Sequence, residues 1–172
     1  MKNSLKAAIA VSGLFIAGTA MAMPASAAGW MLWEGQDEVS PRVIYTDMAD
    51  KAGAMLACNP EGQLLAMLTM EPVSIPDVMK LNAPYHRGSD SKVSVGDGEA
   101  TEVTFRYTPA RKTLESTSHM IGATVYNSAV TGETLKVETR HEGTVETTLP
   151  APDATFKAFA KTCRDLREAA SK

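Results

Sequence analysis

The chain has 172 residues, with 17 lysines and arginines against 20 aspartates and glutamates, three histidines and a formal net charge of −3. That length suits one ordinary domain with one real core. The mildly acidic balance argues against nucleic acid or anionic lipid as the main partner.

Lys2 and Lys6 lead an apolar run from Ala7 to Ala22, which ends in small residues with two A-x-A sites, Ala20-Met21-Ala22 and Ala25-Ser26-Ala27. This is the layout of a secretory signal peptide over 1–27, too short in its apolar run for a spanning helix. Cleavage after Ala27, with Ala22 as the alternative, leaves residues 28–172 as a single domain carrying 15 basic and 20 acidic residues, a formal charge of −5. No cysteine stands at either cleavage site, and no later apolar stretch approaches the ~18 residues that cross a bilayer. The expectation is a periplasmic or secreted chain with no transmembrane segment in its mature part.

Trp30-Met31-Leu32-Trp33 and Arg42-Val43-Ile44-Tyr45-Thr46 are short, aromatic and β-branched, and read as strands. Met55 to Cys58 and Gln63 to Leu68 flank Asn59-Pro60-Glu61-Gly62, where a second-position proline and a fourth-position glycine suit a tight hairpin turn. Pro72, Pro76 and Pro84 mark an irregular crossover. Lys92 to Val95 and Thr101 to Thr108 flank Gly96-Asp97-Gly98 as a second hairpin, with Val103, Phe105 and Tyr107 on one face and Thr104 and Arg106 on the other. Between Ser118 and Thr131, Ile121, Val125 and Ala129 recur every fourth residue before Gly132, which predicts a short helix despite Gly122, Thr124 and Val125 being poor helix formers. Strands follow near Thr134 to Arg140, with Leu135 and Val137 inward, and over Thr144 to Leu149, with Val145 and Leu149 inward. From Asp153, a good N-cap, Phe156, Phe159, Ala160, Cys163, Leu166 and Ala170 form one stripe of a C-terminal helix over about 153–170. Lys161/Asp165 and Arg164/Glu168 add opposite charges at i, i+4. About eight strands and a final helix predict a mainly β fold, an antiparallel sandwich or barrel with the C-terminal helix packed on it.

Cys58 and Cys163 are the only cysteines, and an even pair in an exported chain reads as a disulfide. The alternative is two buried thiols acting as small hydrophobes. Because Cys163 lies on the apolar stripe of the last helix, the bridge would staple that helix to the strand carrying Cys58.

Chemistry-bearing motifs are sparse. Ser89-Asp90-Ser91-Lys92 matches S-x-x-K, the nucleophile motif of penicillin-recognising enzymes, but Lys112-Thr113 runs into Leu114 instead of completing K-T-G, so the segment reads as a solvated loop before a strand. His86, His119 and His141 have no ligand-like spacing, and Met67, Met70 and Met79 offer soft copper ligands but sit where strand methionines fill cores. No metal site and no cofactor are expected. Asp47, Asp50 and the Gln36-Asp37-Glu38 run read as loop charges, and Asp97 as a turn residue. Trp30 and Trp33 are the candidate binding residues, since aromatics carry much of the energy at binding sites. Their odd spacing places them on opposite faces of one strand, so the competing role is core for one and edge packing for the other.

A Trp-bearing first strand, a Leu-Ala-Cys strand turning into Leu-Leu-Ala-Met-Leu, and Leu149-Pro150 before a helix with Phe156, Phe159 and Cys163 resemble a group of small exported proteobacterial β-sandwich proteins similar in pattern to the invasion-associated locus B type. That resemblance implies a periplasmic protein with a Cys-to-Cys staple and no catalytic residues to carry over. The function expected is a non-enzymatic binding or envelope-interaction protein, its partner an unidentified protein or small ligand of the envelope and not nucleic acid. Its rivals are a copper carrier using His and Met, and a hydrolase whose constellation assembles only in space.

Overall fold

The computed structural model describes residues 29–33, 41–46, 51–78 and 85–172. The signal-peptide segment, the Gln36-Asp37-Glu38 run, Asp47, Asp50, Met79 and Pro84 lie outside them. In chain order the elements are β1 (Gly29–Trp33), β2 (Arg42–Thr46), β3 (Lys51–Cys58), β4 (Leu64–Ser74), α1 (Ile75–Val78), β5 (Arg87–Val95), β6 (Thr101–Thr108), β7 (Thr113–Ser116), α2 (His119–Thr131), β8 (Thr134–Thr139), β9 (Thr144–Thr148) and α3 (Ala154–Ala170). The fold is mainly β, as expected, with the C-terminal helix and the internal one both in place.

The strands form one antiparallel sheet of nine in the order β1-β2-β3-β4-β7-β6-β5-β8-β9, curled into a half-barrel. Alternation builds its inner face. Trp30, Val43, Leu56, Leu68, Phe105, Leu114, Val93, Val137 and Val145 turn inward from successive strands and meet α2 and α3 in one core. A second, smaller cluster lies on the outer face of β2 to β4, where Ile44 and Met67 pack under Ile75 and Val78 of α1.

Three sequence expectations are corrected. The segment Ser89 to Lys92 is no loop: it runs within β5, paired to β6 and β8 on its two sides. Its inward residues are Ser89 and Ser91, so the two-residue period carries no hydrophobic signal. β7 adds a ninth strand, four residues long and flanked by β4 and β6. The proline-marked crossover is also displaced. Pro72 lies inside β4, where Ala54 pairs with Leu68 but Ala52 pairs with Val73, so residues 69–72 bulge and a missing N–H is tolerated. Pro76 sits in α1.

The helices end where their caps dictate. The Ser118 hydroxyl accepts from the N–H of Ile121, and Gly132 closes α2 in the left-handed region, its N–H reaching Ser128 O at 2.9 Å. Gly122, which counts against a helix by propensity, is required here. α2 lies so close on β4 that a Cβ at residue 122 would run into the carbonyl of Leu64. In α3, Asp153 Oδ1 accepts from the N–H of Phe156 at 2.8 Å.

Candidate functional site

Cys58 and Cys163 are bridged, with Cα atoms 5.8 Å apart and a sequence separation of 105. Both are buried. The bridge fastens the middle of α3 to the end of β3, as the apolar stripe required. α3 is held at both ends as well. The backbone N–H of Trp30 donates to Asp153 Oδ2 at 3.2 Å, and Arg167 Nη2 donates to Gly62 O at 3.0 Å. Gly62 takes a positive φ of 71° beneath α3, where a side chain would meet the carbonyl of Cys163.

Trp30 is buried, its ring 4.9 Å from that of Phe156, and its indole N–H donates to Pro150 O at 3.0 Å. Trp33 faces the other way and is half-buried against the outer cluster around Ile44 and Met67. The tryptophans thus occupy opposite faces of β1, each packed against a different apolar cluster. His86, His119 and His141 are exposed on separate elements. Met67 belongs to the outer cluster and Met70 packs on the inner core. Among the described residues no group of three or more His, Cys, Asp or Glu is placed to hold a metal. Asp97 sits in the β5–β6 turn, closed by Gly98 N–H to Val95 O at 3.0 Å.

Ser89 and Lys92 do not form a nucleophile and its activator. Odd spacing puts them on opposite faces of β5, Ser89 buried and Lys92 exposed. The Ser89 hydroxyl instead donates to Glu142 Oε2 at 2.7 Å, while Arg87 Nη2 donates to Glu142 Oε1 at 3.0 Å and the Arg87 guanidinium carbon lies 5.5 Å from the centre of the Tyr107 ring. Burial pushes the Glu142 carboxyl up, but hydrogen bonding to Ser89 and Thr139 and the charge of Arg87 outweigh it and hold the group below the usual carboxylate range. With its oxygens engaged in this way, Glu142 pins the β8–β9 turn to the start of β5.

A wide opening lies elsewhere, between α2, α3 and the β3–β4 turn. It is a groove of about 920 Å³, open along one side, within the ~300 to 1,000 Å³ common for ligand sites. Small residues create it: Ala123 on α2 and Ala160 on α3 face the space, Leu64 and Cys163 contribute to its floor, and Tyr126 lies on the ring of Phe156 at 5.0 Å. Lys157, Lys161, Arg164 and Arg167 line it against a single carboxylate, Glu61. The groove is therefore basic in a protein whose net charge is acidic. Lys161 is paired with Asp165 at 2.6 Å and Arg164 with Glu168 at 3.9 Å, all exposed. The Lys161 hydrogen bond holds Asp165 below its ordinary range.

Sequence reasoning missed this site. The i, i+4 charge pairs of α3 were visible, but nothing local shows that their cations border a groove while Asp165 and Glu168 fall outside its lining. A second clue was in plain view: α2 carries no Asp, Glu, Lys or Arg in 13 residues. No family model matches the chain, and no curated protein or solved structure matches it either.

Proposed function

We propose that the protein is an exported, non-enzymatic binding protein of the bacterial envelope and that the α2–α3 groove is its recognition site. The observation that carries this reading is the groove itself, an open cleft with a small-residue, apolar floor and a polar rim. Its lining supplies recognition chemistry. The acid–base groups other than its lysines and arginines are Glu61 in the β3–β4 turn and His119 and Tyr126 on α2, and its one sulfur is tied up in the bridge. Export is supported by the signal-peptide pattern of residues 1–27 and by a disulfide suited to an oxidising compartment. Among the described residues no helix is long and apolar enough to cross a membrane. The resemblance to exported proteins of the invasion-associated locus B type points the same way.

The test is capture from envelope extract with immobilised mature chain, run beside an Ala123→Trp variant that fills the groove. Specific capture by the parent and its loss in the variant is the expected result. Equal capture by both, with both folded, would move the recognition site elsewhere. Intact mass of the exported protein should show a chain beginning at Ala28.

A further inference from the structure

We propose that the occupant of this groove is an acidic amphipathic helix of a partner protein; the inference rests on the groove being the recognition site. The two walls differ in kind. On α3, Lys157, Lys161 and Arg164 stand at i, i+4 and i+7, one exposed stripe about 10 Å long at 1.5 Å per residue. Lys157 has no ion-pair partner among the described residues, and the other two are engaged only in exposed pairs with Asp165 and Glu168, the kind that exchange partners at little cost.

On the opposite wall α2 supplies His119, Ala123, Tyr126 and Asn127 and carries no Asp, Glu, Lys or Arg; outside the lining the same helix leaves Met120 71 % exposed and Val130 50 % exposed. A cleft with one basic wall and one wall without Asp, Glu, Lys or Arg, where Ala123 and Tyr126 offer apolar surface, matches a helix with one apolar stripe and one stripe of Asp or Glu recurring every three or four residues. Ala123 and Ala160 let that third helix approach closely. A small anion would meet one cation of a stripe that does not converge on a point. A polyanionic sugar or nucleic acid would leave the α2 wall uncovered.

The experiment is a selection from a displayed library of helix-forming peptides on the folded mature protein, followed by affinity measurement against Lys157→Glu/Lys161→Glu/Arg164→Glu. These side chains are exposed, but the reversals set like charges at 161/165 and 164/168, so the triple variant should melt slightly below the parent and is compared at a temperature where both are folded. Selected peptides should carry Asp or Glu at three-to-four-residue spacing opposite an apolar stripe, and the triple variant should bind them about tenfold or more weakly. Selected peptides lacking the acidic stripe, or undiminished binding by the triple variant, would overturn the proposal. So would tighter binding of inorganic phosphate or of phosphatidylglycerol vesicles than of the selected peptides. Peptides without acid that still perturb the amide signals of Ala123 and Ala160 would sink the acidic helix and spare the groove. Binding that survives Ala123→Trp would sink both.

Discussion

α2 and α3 lie against the same curled sheet, yet one is held by shape and the other by bonds. α2 rests on β4 through the missing side chain of Gly122 and through buried Ser128 and Ala129, so its contact is steric and its composition small and neutral. α3 is located at its start by Asp153 and Trp30, in its middle by the disulfide and near its end by Arg167 on Gly62. Directional restraints at three points leave the outward residues of α3 free of any structural duty, and there the chain carries lysines and arginines. The difference teaches how a groove can exist between two packed helices: they meet through Tyr126 on the Phe156 ring, and each has its own anchors on the sheet, so small residues can stay at 123 and 160.

Breaking α3's covalent restraint should have the largest effect. A Cys163→Ser variant loses the closure of a 105-residue loop, for which the chain-entropy model gives about 4 to 5 kcal/mol, and its melting temperature should fall by roughly 10 °C or more. An unchanged melt would show that the end restraints suffice. For α2 the corresponding variant is Gly122→Ala. Propensity alone favours alanine by about 1 kcal/mol, but the added Cβ meets the carbonyl of Leu64, and overpacking of this kind costs about 1 to 3 kcal/mol. Denaturant titration should therefore show net destabilisation; a stabilised protein would mean that α2 does not rest on β4.

Removing the α3 cap in Asp153→Ala should cost about 1 kcal/mol, with the loss read by the same titration. Acid probes the sheet beyond both helices. Because Glu142 titrates below its ordinary value of 4.5 in the folded protein, its contribution is complete above that pH and is lost as pH falls through the depressed folded value. Glu142→Gln should thus flatten the decline of stability with acid in that window and leave the groove peptides bound at neutral pH. The smallest effect belongs to the exposed face of α3. Lys161→Ala should leave the melt unchanged while the Asp165 carboxyl, followed by NMR titration, rises toward 3.8.

Much of the secondary structure was legible. Asp153 with the stripe through Phe156, Phe159 and Cys163 specified α3, Ser118 and Gly132 bracketed α2, and the two hairpin turns came from Gly62 and from Gly96 with Gly98. Legibility failed where an inward position is polar. Ser89 and Ser91 face the core side of β5 because Glu142 accepts from the Ser89 hydroxyl and the Ser89 carbonyl accepts from that of Ser91, and a hydrophobic period cannot register such residues. Net charge misled in the same way: an acidic total says nothing about where four cations gather.

By itself, then, the sequence determined the strands with clean alternation, the two main helices and the pairing of its cysteines, because periodicity and capping depend on residues within a turn or two of one another. Only the tertiary structure decided that β4 would pair with β7 and β5 with β8, that the sheet would curl as one, and that Ala123 and Ala160 would face a common groove. Those outcomes are set by packing among segments dozens of residues apart, where the spacing along the chain carries no distance information.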